Sequence, residues 1–100
     1  MTQQGKQALY VQNLRIQNSQ SQPVTLYLEP WGEELLISPN ATYEFAARGP
    51  EGDCLHVDFA PAQITIYGWS GSVISVYHND KMLRNCEIPA PATPRRAVEP

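Results

Sequence analysis

The sequence has few basic residues and no long apolar run. Its 100 residues include 7 Lys and Arg against 10 Asp and Glu, which gives a formal net charge of -3 and a pI near 5.2. Because nucleic acids and anionic membrane surfaces attract clusters of positive charge, this balance argues against both as partners. No apolar stretch approaches the roughly 20 residues that a membrane-spanning helix needs. The N-terminus lacks the basic start and apolar stretch of a secretion signal, which predicts a cytoplasmic protein.

The chain also lacks a recognisable catalytic constellation. Gly68-Trp-Ser-Gly71 superficially resembles a nucleophile turn, but Gly71 directly follows Ser70, so the G-x-S-x-G spacing is not met. No glycine-rich phosphate loop occurs, and the acids Glu33 and Glu34 are expected to solvate the start of an apolar strand rather than to share a proton. The sequence therefore predicts a protein that is not an enzyme, with no catalytic residues and no cofactor.

Metal-ligating residue types are few and poorly spaced. The side chains that could bind copper or zinc are Cys54, His56, His78, Met82 and Cys86. The C-x2-C spacing of zinc sites is absent, and the ligand order of a blue-copper domain is not met because no histidine precedes Cys54 or follows Cys86. We therefore predict no metal site and place a soft-metal domain third among the functions. Reduced thiols are expected in the cytoplasm, with a disulfide between Cys54 and Cys86 as the alternative.

Apolar and polar residues alternate through most of the chain. In the run VTLYLE, Val24, Leu26 and Leu28 point one way and their neighbours point the other. This period of two is typical of a half-buried β-strand, and similar runs recur between proline- and glycine-bearing turns. Asn79-Asp80 is a tight hairpin signal, and no stretch has a convincing helical period. The sequence therefore predicts an all-β fold: a small antiparallel β-sandwich, or partly open barrel, of about seven to eight short strands.

Two local patterns lead to more specific expectations. Between residues 9 and 18 the alternation changes phase at Asn13, which predicts a bulge or two short strands. In the run LHVDF, Leu55, Val57 and Phe59 are expected to face the core.

Composition divides the chain into two parts. Residues 1–88 carry the alternating pattern and are predicted to form a single β-sandwich domain. Residues 89–100, with the sequence PAPATPRRAVEP, hold four of the 9 prolines and almost no core-forming residue. Such a composition is typical of a flexible, proline-rich tail.

The alternation also predicts which side chains the strands leave outside the core. The candidate binding residues are aromatic and polar side chains on outer faces or in turns, namely Tyr27, Glu29, Trp31, His56, Asp58, Tyr67 and Trp69. Aromatic residues beside acids suit a protein interface or stacking on sugar rings. The structural alternative is that Thr and Tyr are simply good strand formers and that both tryptophans cap the ends of the core.

These observations favour a non-catalytic binding or assembly domain. The expected partner is another protein, or a second copy in a homo-oligomer, joined through an exposed strand edge or the Tyr/Trp surface. The alternative is a small-ligand module that stacks a glycan on Trp31, Trp69, Tyr27 and Tyr67.

Overall fold

Eight β-strands form the regular structure of residues 9–91, which are the residues that the computed structural model describes. The strands are β1 (Leu9–Gln17), β2 (Val24–Glu29), β3 (Glu33–Ile37), β4 (Thr42–Pro50), β5 (His56–Ala60), β6 (Gln63–Tyr67), β7 (Val73–His78) and β8 (Lys81–Cys86). They build two four-stranded sheets that pack together, with no helix in the described residues and no closed barrel. The predicted small β-sandwich is confirmed.

The strand order places one parallel pair at the centre of one sheet. Sheet A has the order β1-β4-β7-β8, and sheet B has the order β3-β2-β6-β5. Neighbouring strands are antiparallel, as the short turns predict, except for β2 and β6, which run parallel. Strand β2 belongs to the β2–β3 hairpin and β6 to the β5–β6 hairpin, and the parallel pair is where the two hairpins meet.

The core lies between the two sheets and follows the predicted alternation. On β2 the side chains of Val24, Leu26 and Leu28 are buried, while the intervening ones are half-buried on the other face. Phe45 and Ile66 are also fully buried, from sheet A and sheet B respectively. Burying one such aliphatic or aromatic side chain stabilises the fold by roughly 1.5–3 kcal/mol.

Turn chemistry explains where several strands end. Asn79 and Asp80 have φ angles of 52° and 63°, so both residues of the β7–β8 turn lie in the left-handed region that a type I′ hairpin requires. Asn40, with φ of 67°, lies in the same region between β3 and β4. Asn and Asp tolerate this region better than other residues that carry a side chain. The hairpin predicted at Asn79-Asp80 is confirmed.

Two local predictions differ from the structure. Strand β1 is continuous, because its register with β4 runs without a shift from Leu9 to Gln17, so the predicted bulge or break at Asn13 is wrong. The phase of the apolar residues changes because Val11, although part of β1, points away from the core and is 53% exposed. Phe59 was expected in the core but is 73% exposed, because β5 is the outer strand of sheet B and this residue lies at the margin of the sandwich.

The C-terminal segment continues to make contacts beyond the predicted domain boundary at residue 88. Ala90 is buried, its N–H donates to the carbonyl oxygen of Ser72 at 2.9 Å, and its own carbonyl oxygen accepts from the N–H of Gly71 at 2.8 Å. These contacts attach residue 90 to the β6–β7 turn, and the domain boundary at residue 88 stays a prediction. The prediction of a flexible tail otherwise falls on residues 92–100, which lie outside the described residues.

Residues 9–91 contain no helix of the length and hydropathy needed to cross a membrane.

Candidate functional site

The parallel register of β2 and β6 brings four outward-facing side chains together. Tyr27 on β2 is opposite Thr65 on β6, and Glu29 is opposite Tyr67. Residues two apart on a strand share a face, so all four lie on the outer face of sheet B. Tyr27 and Tyr67 are diagonal neighbours there, roughly 8 Å apart at the backbone from the standard strand spacings. Three predicted site residues from distant parts of the chain thus form one surface.

Strand β5 adds the next two predicted residues to the same face. Its Asp58 is opposite Thr65, and its His56 is opposite Tyr67. The rings of His56 and Tyr67 make an edge-to-face contact, with centroids 5.4 Å apart and an interplanar angle of 72°. This contact supports one side of the Tyr67 ring, which remains 40% exposed.

Tyr27, Glu29 and Tyr67 line an open depression of about 730 Å³, which we call the outer groove, whereas His56 and Asp58 lie outside its lining. Thr65 forms its floor and is only 8% exposed, although it points away from the core. Tyr27 and Tyr67 line it, and Pro30 and Pro91 close the end where β2 and β6 finish. The alternation predicts the tyrosines, but no local signal predicts Pro91, which enters the groove through the path of the C-terminal segment.

The first predicted tryptophan is held by the fold. The indole N–H of Trp31 donates to the carbonyl oxygen of Ile88 at 2.7 Å. Its ring lies against Gly68 so closely that a Cβ added to Gly68 would be 2.4 Å from the Cη2 atom of Trp31. The ring therefore covers the β6–β7 turn beside the outer groove rather than presenting a free face.

The second predicted tryptophan is part of the core. Trp69 is 4% exposed, and its indole N–H donates to the carbonyl oxygen of Pro50 at 2.8 Å. The ring of Tyr10 lies beside it, with centroids 6.0 Å apart. Trp69 consequently offers no surface to a partner, in line with the structural alternative that it caps the core.

Charge is distributed unequally between the two sheets. The strands of sheet B carry four acids and no Lys or Arg, the acids being Glu29, Glu33, Glu34 and Asp58. In residues 9–91 every Lys and Arg lies in sheet A, namely Arg15, Arg48, Lys81 and Arg84. Of the four acids, Glu33 pairs with Arg84 across the sheet edges, at 3.0 Å. The outer face of sheet B therefore carries the carboxylates of Glu29, Glu34 and Asp58 on strands that contain a histidine, His56, but no Lys or Arg.

Sheet A has a depression of its own, which contains an ion pair. It measures about 650 Å³ and is lined by Arg15, Glu44, Ala46 and Tyr77, among others. Arg15 and Glu44 form an ion pair at 3.1 Å, and Asp80 also lines this depression. The charged side chain that lines the outer groove of sheet B is that of Glu29.

The cysteines and histidines are dispersed. Cys54 precedes β5 in sheet B and is exposed, whereas Cys86 ends β8 in sheet A and is buried, and both are free thiols. Burial raises the pKa of Cys86, Glu33 raises it further, and Arg84 opposes the shift. Within residues 9–91, no three His, Cys, Asp or Glu side chains are grouped so as to hold a metal ion.

No protein-family model, no curated protein and no solved structure matches this chain.

Proposed function

We propose that this β-sandwich is a non-catalytic binding domain that holds an extended segment of a partner protein in the outer groove. The observation that carries the proposal is the parallel register of β2 and β6, which sets Tyr27 and Tyr67 beside each other over Thr65. Tyrosines supply a large contact area with a polar tip and lose little side-chain entropy on binding, which is why they are enriched in protein interfaces.

The shape of the groove supports a peptide as the ligand. It lies along β2 and β6, with lining residues on β6 from Gln63 to Tyr67, a stretch of roughly 16 Å, and it is open to solvent. The carbohydrate alternative relied on Trp31, Trp69, Tyr27 and Tyr67; of these, Trp69 is buried and the ring of Trp31 packs against Gly68. The groove keeps two tyrosine rings without a broad indole platform, so its geometry favours a peptide over a stacked sugar.

The proposal is tested by selecting random displayed peptides on the full chain and titrating the selected ones by NMR. We expect shifts at Tyr27, Thr65 and Tyr67, and at least a tenfold weaker affinity in Tyr67→Ala, which corresponds to about 1.4 kcal/mol. Tyr77→Ala is the matched control, since Tyr77 lines the depression of sheet A. Glu29→Gln, which removes a groove charge with little change of shape, provides a second variant.

Each other result counts against the proposal. Failure to select any peptide, or binding that Tyr67→Ala leaves unchanged, would reject the groove as a peptide site. Oligosaccharides that shift the same amides when peptides do not would put the carbohydrate alternative in its place. Native mass spectrometry of the full chain then tells whether the partner is a second copy or a different protein.

A further inference from the structure

The C-terminal segment leads the chain into the outer groove. The hydrogen bonds of Ala90 to Gly71 and Ser72 hold it against the β6–β7 turn. Ala90 and Pro91 both line the groove at the end where β2 and β6 finish. Residues 92–100 therefore leave the described domain from a point already inside the groove.

The sequence of residues 92–100 has the composition of a groove-binding segment. It reads ATPRRAVEP and contains Pro94, Arg95 and Arg96. Together with Pro91 it gives a Pro-x-x-Pro spacing, which is typical of polyproline II segments that bind aromatic-lined grooves. In a polyproline II helix, which has three residues per turn, a Pro-x-x-Pro segment sets its two prolines on one edge, about 9 Å apart, and the two residues that follow the second proline on the other two edges.

The dimensions of this segment and of the groove agree. At about 3.1 Å per residue, nine residues in this conformation reach roughly 28 Å, which exceeds the roughly 16 Å that β6 contributes to the groove from Gln63 to Tyr67. Successive outward-facing rows on the sheet are about 6.6 Å apart, so a segment that enters beside Tyr67 at Pro91 brings Pro94 to Tyr27. The occupant can therefore come from the same molecule.

The charges are complementary on both sides of that path. Glu34 on β3 is opposite Tyr27, and Asp58 on β5 is opposite Thr65, so an exposed carboxylate borders the groove on each side. The strands of sheet B supply no Lys or Arg to balance them. Residues 92–100 contain two cations, Arg95 and Arg96, against one acid, Glu99.

Building on the proposed function, we propose that residues 92–100 lie along the outer groove of their own chain and compete with the partner. The ligand class of the groove is then an extended proline-rich segment that bears arginines. Because a tethered segment acts at an effective concentration in the millimolar range, even a weak contact keeps most grooves occupied. The tail thus lowers the apparent affinity for a partner of the same chemistry.

The test measures binding of a fluorescein-labelled synthetic peptide with the sequence of residues 89–100 to three full-length chains by fluorescence anisotropy. The chains are the wild type, the double variant Arg95→Ala/Arg96→Ala, and the control Arg48→Ala, whose arginine lies in sheet A. If the tail occupies nine-tenths of the grooves, the double variant binds the peptide about tenfold more tightly than the wild type. Arg48→Ala should bind the peptide like the wild type. Added salt should narrow the difference in affinity between the wild type and the double variant.

The remaining results separate the two proposals. In one contrary result, the wild type and the double variant bind the peptide with equal affinity while Tyr67→Ala, measured in the same way, does not bind it. That result would overturn the tail contact and leave the groove as a peptide site. Absence of binding to both chains would overturn the ligand class, and the displayed-peptide selection then decides separately whether the groove binds peptides at all. A concentration-dependent dimer that Arg95→Ala/Arg96→Ala abolishes would assign the tail to the groove of a second copy and overturn the intramolecular contact.

Discussion

The indole N–H of Trp31 donates a hydrogen bond to the carbonyl oxygen of Ile88, which lies 57 residues further along the chain. This bond joins the β2–β3 turn to the C-terminal segment, and the backbone bonds of Ala90 to Gly71 and Ser72 hold the same segment two residues later. The end of the sandwich beside the outer groove is therefore closed by residues that follow the last strand.

We expect a chain that ends at Cys86 to be about 3 kcal/mol less stable than one that ends at Pro91. The shorter chain loses the Trp31 bond and both backbone bonds of Ala90, each worth about 1 kcal/mol. Urea unfolding of the two chains gives the difference directly. Equal midpoints would show that the segment adds nothing to the stability of the sandwich.

Asn18 is a buried junction between β1, β2 and β3. Its Nδ2 donates to the carbonyl oxygens of Gln22 at 2.8 Å and Ile37 at 3.0 Å, and its Oδ1 accepts from the N–H of Gln20. Asn18→Ala leaves these groups without their partner, so we expect a loss of about 2–3 kcal/mol in urea unfolding. Gln20→Ala is the control, because Gln20 takes part only through its backbone, and it should stay within about 0.5 kcal/mol of the wild type.

Close contact between Gly68 and Trp31 predicts a steric penalty. A Cβ at Gly68 would lie 2.4 Å from the Trp31 ring and 2.7 Å from the Oγ of Ser72, so Gly68→Ala should cost about 1–3 kcal/mol. In a Trp31→Leu background the cost should fall, which a double-mutant cycle detects. Gly52→Ala is the control: no atom lies within 4 Å of its added Cβ, and any backbone strain at its φ of 111° should be the same in both backgrounds. An unchanged cost of Gly68→Ala would contradict the contact.

Two buried serines should respond to alanine in opposite directions. The Oγ of Ser72 has no hydrogen-bond partner within residues 9–91, whereas the Oγ of Ser75 donates to Asn85 at 2.9 Å. Replacing an unpaired buried hydroxyl removes a desolvation cost, so Ser72→Ala should be neutral or up to about 1 kcal/mol more stable. Ser75→Ala should lose about 1 kcal/mol. Thermal unfolding of both variants tests this, and destabilisation by Ser72→Ala would reveal a partner for its hydroxyl.

The raised pKa of Cys86 predicts a loss of stability at alkaline pH. Burial, the first cause of the shift, favours the neutral thiol in the folded chain, while the unfolded thiol ionises near pH 8.5. The resulting stabilisation is complete below the unfolded pKa and is lost as the pH rises through the folded pKa. Wild type should therefore lose more stability than Cys86→Ala as the pH rises above about 8.5, in urea unfolding at each pH. Cys54→Ala, which removes an exposed thiol, should follow the wild type, and parallel curves for all three chains would refute the assignment.

Local sequence determined the elements of this protein. The alternation in VTLYLE predicts a strand with Leu26 inside and Tyr27 outside, and this is how β2 lies. Asn79-Asp80 predicts a tight hairpin for the same local reason, because its dihedral preference depends only on those residues. Side-chain direction and turn conformation are set within a few residues, so the pattern of one strand suffices to read them.

Only the tertiary structure decided which elements meet. The pairing of β2 with β6 brought Tyr27 beside Tyr67, and the path of the C-terminal segment brought Pro91 to the same groove. It also buried Trp69, which the sequence placed in a turn, and left Phe59 at an uncovered margin. Strand register and sheet order depend on packing between residues far apart in the chain, and a period of two is compatible with many such pairings. The outward direction of each tyrosine could therefore be predicted from its own strand. The groove that the two tyrosines line forms only when the two hairpins pair.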